Sequence, residues 1–330
     1  MDSPCFYSLA ASLSNGVANL IIKVLIMANI KKIRTPVIFD KIGFTFPIPK
    51  KYRLGIKNKL INLLNDQNSI GYVVKWYPRS ERYGDVFQIE IPTDTDTVGN
   101  GYFTAKILIY PVCKAHNFFK LEFNPAKLGT VGGKKLRRIL FKVLGINVVR
   151  KLYFEARLTR VDLTIDIRKR IDCLVYMAGA RCSSMVCSES GAIGSQIVGG
   201  TRSAVRMTLY DKAVEQGTDG DWHRLEIVLR DLGCSMADLD DNLLQHFNKL
   251  RFFSPNFFSD DYFDSNFLAV VCTDGLNAAL SQLDRNTRIR YLRRLRHHER
   301  WPINTDRLTI KPGVESLLFL RSSKYAPKAA

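Results

Sequence analysis

The stretch Thr159-Arg160-Val161-Asp162-Leu163-Thr164-Ile165-Asp166-Ile167 alternates polar and apolar residues with a period of two. That period is the mark of a strand with one wet face and one buried face. Asp162 and Asp166 share the wet face, about 13 Å apart at the usual strand rise, with Arg160 beside the first. The chain carries a net charge of +18, so acids aligned in this way point to a positive partner, and a divalent cation leads the candidates. Three further segments have the same two-faced pattern. Glu122 shares a face with Lys120 and Asn124. Arg206, Thr208, Tyr210 and Lys212 share another, and Arg224, Glu226 and Arg230 a third.

If these strands are neighbours, Asp162, Asp166, Glu226 and Glu122 supply hard oxygen ligands that suit Mg²⁺ or Mn²⁺. Asp162 and Asp166 are too far apart for one ion, so one of them would act with an acid from an adjacent strand. Tyr210 supplies a hydroxyl, and Lys212 and Arg224 supply positive charge. Such a set can carry out phosphoryl transfer. The metal polarises a phosphodiester, the phenol attacks in line and a phosphotyrosine results. Lys212 lowers the phenol's pKa or protonates the leaving oxygen. Spacing alone leaves a second reading open. Arg160 with Asp162, and Arg224 with Glu226, also suit ion pairs on a solvated face, and tyrosine is common in strands.

The elements that would position these residues follow from periodicity and breakers. Strands are expected at Val37–Phe46, Ile70–Trp76, Asp85–Ile91, Tyr102–Ile109, Phe118–Phe123, Tyr153–Ile167, Val205–Asp211 and His223–Leu229. Helices are expected at Lys50–Asn65, Lys134–Leu144 and Ile171–Ala180, with Cys182–Gly200 as loop containing at most one short strand. From Met236 the pattern turns helical, over Met236–Lys249, Asn266–Leu283 and Asn286–His297. The fold class is therefore α+β: an antiparallel sheet with flanking helices, followed by a helical C-terminal region. Residues 1–36 are expected to be a leader or extension, 37–232 the catalytic unit and 233–330 a basic, helical, DNA-contacting unit.

An isoelectric point near 9.7 favours a polyanionic partner, with nucleic acid first and an anionic membrane surface second. The seven cysteines are scattered with no CxxC pair, which argues against structural zinc or a disulfide framework and for a reducing cytoplasm. Asp2 and the lack of a positive start argue against a secretory signal. Met27 reads as a second start. No later segment is apolar over a membrane-spanning length, and no stable membrane association is expected.

The order of motifs resembles the rolling-circle replication initiators of plasmids and filamentous phages, the gene II-like and plasmid replication-initiation-factor families. The matching pieces are FDKIGFTFPIP at Phe39–Pro49, EFNPAKL at Glu122–Leu128, TRVDLTID at Thr159–Asp166, GGTRSAVRMTLYDKAVE at Gly199–Glu215 and WHRLEIVLR at Trp222–Arg230. The resemblance implies a Rep nuclease-like fold and a bacterial host. It implies metal-dependent nicking of single-stranded or cruciform origin DNA, a 5′-phosphotyrosine and a 3′-OH primer used by host helicase and polymerase, with a homodimer as one assembly. It makes Tyr210 the nucleophile, Lys212 and Arg224 its supporting charges, and Asp162, Asp166 and Glu226 the metal site. The His-hydrophobic-His motif of many such enzymes is absent among the five histidines, so carboxylates must replace it. Tyr153, Tyr176 and Tyr262 are rival nucleophiles.

Two basic segments suit phosphate contact, a salt-sensitive and sequence-blind interaction. One holds Lys134, Lys135, Arg137, Arg138 and Lys142. The other holds Arg285, Arg288, Arg290, Arg293, Arg294, Arg296 and Arg300. The phenylalanines between Phe252 and Phe267 read as core before they read as base-stacking platforms. Two other functions compete: a non-catalytic DNA-binding maintenance protein, and, further off, a tyrosine recombinase using His297, Arg300 and Tyr325.

Overall fold

The period-two alternation is realised as a large, antiparallel sheet. A computed structural model of the chain describes residues 35–66, 72–78, 80–92, 102–114, 116–187, 193–235, 241–259, 262–296 and 308–310. The strands are β1 Thr35–Phe46, β2 Val73–Tyr77, β3 Tyr83–Pro92, β4 Tyr102–Pro111, β5 Phe119–Phe123, β6 Arg157–Ile167, β7 Leu174–Met177, β8 Ser183–Cys187, β9 Ile193–Val198, β10 Val205–Asp211, β11 His223–Arg230, β12 Leu250–Phe253 and β13 Leu308–Ile310. The sheet runs in the order β2-β3-β4-β5-β1-β6-β11-β10-β9-β8, and β13 pairs in parallel with the start of β1.

The apolar face of this sheet carries residues such as Ile42, Phe44, Leu121, Leu163, Ile165, Leu225, Ile227, Met207 and Leu209, all buried in one core. Three helices contribute to that core: α1 Lys50–Asn65, α2 Pro125–Leu144 and α3 Ile146–Glu155. Their stripes Ile56/Leu60/Leu63, Leu136/Ile139/Leu140/Val143 and Val149/Leu152 are buried there, as amphipathic helices require. The opposite face carries the polar set. Gly43 sits on that face between Glu122 and Arg160 in register. A Cβ at Gly43 would lie 3.3 Å from Thr159 Oγ1 and 3.4 Å from Glu122 Cγ, so glycine lets these longer side chains close over the strand.

Several elements differ from expectation. Helix α2 starts at Pro125 rather than Lys134. The Asn124 side chain accepts from Lys127 N at 2.9 Å, capping a helix with proline in its first turn, and Gly129 kinks it at φ 57°. Tyr153–Glu155 ends α3, and the strand begins only at Arg157. Ile171–Ala180 is not helical but holds β7, and Cys182–Gly200 holds two strands, β8 and β9. The C-terminal part is mainly helical, with 3₁₀ turns at Asp241–Lys249 and Pro255–Ser259, then α5 Ser265–Asp274, α6 Leu276–Gln282 and α7 Arg285–Arg296. It also contributes β12, which pairs with β7. The expected single helix Asn266–Leu283 is broken at Gly275, φ 85°.

The β7–β12 ribbon forms a middle layer. Val175, Met177, Leu250 and Phe252 join the main core, while Leu174 and Phe253 join a second core with α5, α6 and α7. That second core takes in Phe258, Phe263 and Phe267, so these phenylalanines are packed, not presented. Two buried amides tie the ribbon in place. Gln196 accepts from Val175 N at 2.9 Å and donates to Cys173 O. Asn277 accepts from Met177 N and donates to Met177 O and Ala180 O, each at 2.9 Å. They stand in for the neighbouring strand that β7 lacks on that side. No described helix is long and apolar enough to cross a membrane. The expectations for residues 1–34, His297, Arg300 and Tyr325 lie outside the described residues.

Asn277→Ala removes the partner of three backbone groups at once. It is expected to cost about 2–3 kcal/mol of unfolding free energy, read from urea denaturation. A loss under about 0.5 kcal/mol, within the range of a neutral surface change, would contradict the clamp.

Candidate active site

Strand register decides which polar residues meet. β6 pairs with β11 so that Asp166 faces Arg224, Thr164 faces Glu226 and Arg160 faces Arg230. β11 pairs with β10 so that Arg224 faces Tyr210 and Glu226 faces Thr208. Tyr210, Arg224 and Asp166 thus form one cross-strand row on the polar face. Arg224 grips Asp166 with both ends of its guanidinium, Nε to Oδ1 at 2.7 Å and Nη2 to Oδ2 at 3.0 Å. Trp222 Nε1 adds a third bond to Asp166 Oδ1 at 3.1 Å, and Arg168 stacks on the indole at 3.8 Å. Burial pushes the Asp166 carboxyl up, but the bonds and charge of Arg224 outweigh it and leave the group below the ordinary aspartate range.

Glu215 is the carboxylate that acts most strongly on the Tyr210 phenol, by its negative charge. Glu215 lies on α4, Lys212–Gln216, a single turn capped by Asp211, whose side chain accepts from Val214 N at 3.1 Å. The backbone amides of Lys212 and Ala213 both donate to Trp222 O, which fixes the turn against the start of β11. Lys212 is buried, pairs with Glu215 at 2.5 Å, and holds its ammonium 5.7 Å from the Tyr210 ring centre. Burial raises the Tyr210 phenol, and the negative charge of Glu215 raises it further. A neutral phenol with a carboxylate near enough to act on it by charge is the ground state of a nucleophile with a candidate proton acceptor beside it. Glu215 escaped the sequence reading because it lies past the strand, off its alternation.

The expected metal ligands fall into two groups. Glu122 pairs with Lys120 at 2.7 Å and with Lys41 at 3.9 Å, and Asp166 is held as described. Asp162 is buried and takes a two-pronged bond from Arg160, 2.7 Å on each oxygen. Glu226 differs: burial first, then the negative charges of Asp162 and Asp40, push its carboxyl above the usual range. Asp40, also missed from sequence, occupies the extra position where the β1–β6 register shifts between Phe39 and Lys41, and it accepts from Asn124 Nδ2 at 3.0 Å. Acids that repel one another in this way have the donor chemistry of a hard-cation site. As they stand, no three His, Cys, Asp or Glu side chains among the described residues are placed to hold an ion. The fit of Asp40, Asp162 and Glu226 to a divalent cation is one of donor type and charge.

The rival tyrosines sit elsewhere. Tyr176 belongs to the β7–β12 layer, and Tyr262 stacks in the second aromatic cluster. Tyr153 lies on α3, away from the row, and its side chain is outside the described residues. Of the basic helices, α2 lies on the apolar side of the sheet and α7 packs in the second core. On α2, Lys134 and Arg138 are exposed and Lys135 and Arg137 half-buried. On α7, Arg285, Arg293 and Arg296 are exposed, and Arg288 and Arg294 half-buried.

No protein-family model matches the chain. No curated protein matches it either. Among solved structures, a rolling circle replication initiator protein from Geobacillus stearothermophilus is similar over 70% of this chain and 89% of its own, with 15% sequence identity and a TM-score of 0.38. A likeness at that level adds nothing to what the side chains say.

The depressed Asp166 carboxyl gives a signed pH dependence. Its contribution is present above the unfolded aspartate value and lost as pH falls through the lower folded value. Asp166→Asn is expected to cost about 1–2 kcal/mol near neutrality, with the gap to the unaltered protein closing between about pH 5 and pH 2. A gap that stays constant over that span, in denaturant titrations at each pH, would contradict the pairing.

Proposed function

We propose that this protein is a rolling-circle replication initiator that cuts one strand of single-stranded or cruciform origin DNA by tyrosine attack. The observation that carries the reading is the row itself. Tyr210, Arg224 and Asp166 are in register on the polar face, with the Glu215 carboxylate acting on the phenol by charge. In the reaction, the Tyr210 oxygen bonds to a backbone phosphorus and the bond from phosphorus to O3′ breaks. The phenol proton passes to Glu215, the carboxylate whose charge acts on the phenol and which Lys212 holds in place. Lys212 supplies the proton for the departing O3′. Arg224, held on one edge by Asp166, turns its remaining N–H groups towards the phosphate oxygens. The products are a 5′-phosphotyrosine and a free 3′-OH, which serves as a primer for the host polymerase.

Glu226 and Asp40 would hold Mg²⁺ or Mn²⁺, with Asp162, whose two oxygens Arg160 engages, adding negative charge beside them. When bound, such an ion neutralises charge that builds on the phosphate. Burial first, then the charges of Asp162 and Asp40, raise the Glu226 carboxyl, and a cation there would relieve both, which supports this assignment. Asp166 and Glu122, engaged by Arg224 and by Lys120, act as anchors for those cations. The exposed arginines of α7 and the lysines of α2 would hold flanking DNA by its phosphates.

The test is covalent capture. Incubated with labelled single-stranded DNA of the replicon that encodes it, with and without Mn²⁺, the protein is expected to form an adduct that survives denaturing gel electrophoresis only when metal is present. Tyr210→Phe abolishes the adduct, and Glu215→Gln slows its formation by about 10²-fold or more. An adduct retained by Tyr210→Phe would overturn the assignment of the nucleophile. Tight DNA binding by the unaltered protein with no adduct would identify a passive binder instead.

A further inference from the structure

Arg160, Arg206 and Arg230 meet on the polar face, at the end of the row system away from Tyr210. Arg160 and Arg230 are direct cross-strand partners between β6 and β11. Arg206, on β10, faces Val228 and so is the diagonal neighbour of Arg230. Like charges directly opposite on a sheet are unfavourable, and the strain of the arrangement is visible in Arg230. Burial first, then the positive charges of Arg160 and Arg206, lower its guanidinium pKa.

Asp162, Glu122 and Glu226 act on Arg160 by charge, but the acceptors around the cluster leave guanidinium N–H groups unused. Asp162 takes two N–H groups of Arg160. Asp162, and more weakly Asp231, next in chain to Arg230, act on that residue by charge. Arg230 Nη1 donates to Ser203 O at 3.1 Å, a neutral acceptor. Arg206 Nε is buried and has no hydrogen-bond partner among the described residues. Each guanidinium offers five N–H donors, so several remain for a ligand. A tetrahedral oxyanion is the ligand that takes donors from several guanidiniums at once and removes their repulsion.

We propose that Arg160, Arg206 and Arg230 form a binding site for a backbone phosphate of single-stranded DNA, a few nucleotides from the phosphate that Tyr210 attacks. This deepens the nicking role and rests on it. Tyr210 and Arg206 lie on the same face of β10, four residues and about 13 Å apart at the strand rise. A strand of DNA laid along β10 therefore passes from one to the other across Thr208 and Glu226. The site gives the DNA its direction over the nucleophile, and it is distinct from the two basic helices, which pack on the apolar face of the sheet and in the second core.

The test uses the full chain, fluorescent oligo-dT as a sequence-neutral probe, and inorganic pyrophosphate as a free-phosphate control. Arg206→Met and Arg230→Met keep much of the apolar stem. Each is expected to weaken oligo-dT binding about tenfold and to reduce the slope of log affinity against log salt by about 0.7, the value for one phosphate contact on single strands. Because a repulsion is relieved, thermal stability without anions stays level or rises, which separates lost binding from lost folding. Unchanged affinity and salt slope in both variants would overturn the site while leaving the nicking reaction intact. Stabilisation by pyrophosphate that needs Arg206, with oligo-dT binding indifferent to it, would overturn the DNA assignment in favour of a free phosphate ligand. Arginine-dependent DNA binding without any adduct would uphold the site and sink the nicking reading instead.

Discussion

The double hydrogen bond between Arg224 and Asp166 depends on the pairing of β6 with β11, and the position of Tyr210 depends on the pairing of β11 with β10. A slip of one residue in either pairing would turn every polar side chain of that strand into the core. The buried faces prevent it: Leu163 and Ile165 on β6, Leu225 and Ile227 on β11, Met207 and Leu209 on β10 are all nearly inaccessible. The hydrophobic core therefore does two jobs with one pattern. It stabilises the sheet, and it fixes to within one residue where a phenol, a guanidinium and a carboxylate stand relative to each other. Trp222 extends this control beyond the strand, since its carbonyl anchors α4 and its indole bonds Asp166.

Charge on the polar face is arranged in layers. Asp166, Asp162 and Glu122 are each tied to a cation, which holds Arg224, Arg160 and Lys120 in defined positions at modest net cost. Glu226 is half-buried near the negative charges of Asp162 and Asp40, and Arg230 is half-buried near the positive charges of Arg160 and Arg206. On the proposed function, a phosphodiester chain with its cation would answer both, the cation at one and a phosphate at the other. Helix α2 packs on the apolar face of the sheet and α7 on the second core, so neither belongs to the polar face that carries Tyr210.

Most of the strand system was legible in the sequence because each strand has one wet face, and the alternation reports it directly. The sequence reading placed Arg160, Asp162, Asp166, Tyr210, Arg224 and Glu226 on wet faces, and they are there. What escaped it lies where alternation stops. Asp40 sits at a register shift, and Glu215 sits on a single helical turn beyond β10. β7 was read as helix because Leu174–Met177 is a short apolar run, buried on both faces and completed by the side chains of Gln196 and Asn277 rather than by a full neighbour. The start of α2 was hidden by its three early glycines, although Asn124-Pro125 is itself a helix-start signal.

The proposal that the chain links itself to DNA through one tyrosine is tested most directly by mass spectrometry of the nicked complex after nuclease and protease digestion. The account predicts a nucleotide phosphate attached to the peptide that contains Tyr210. Attachment to any other residue, or nicked DNA with no modified peptide, would contradict it.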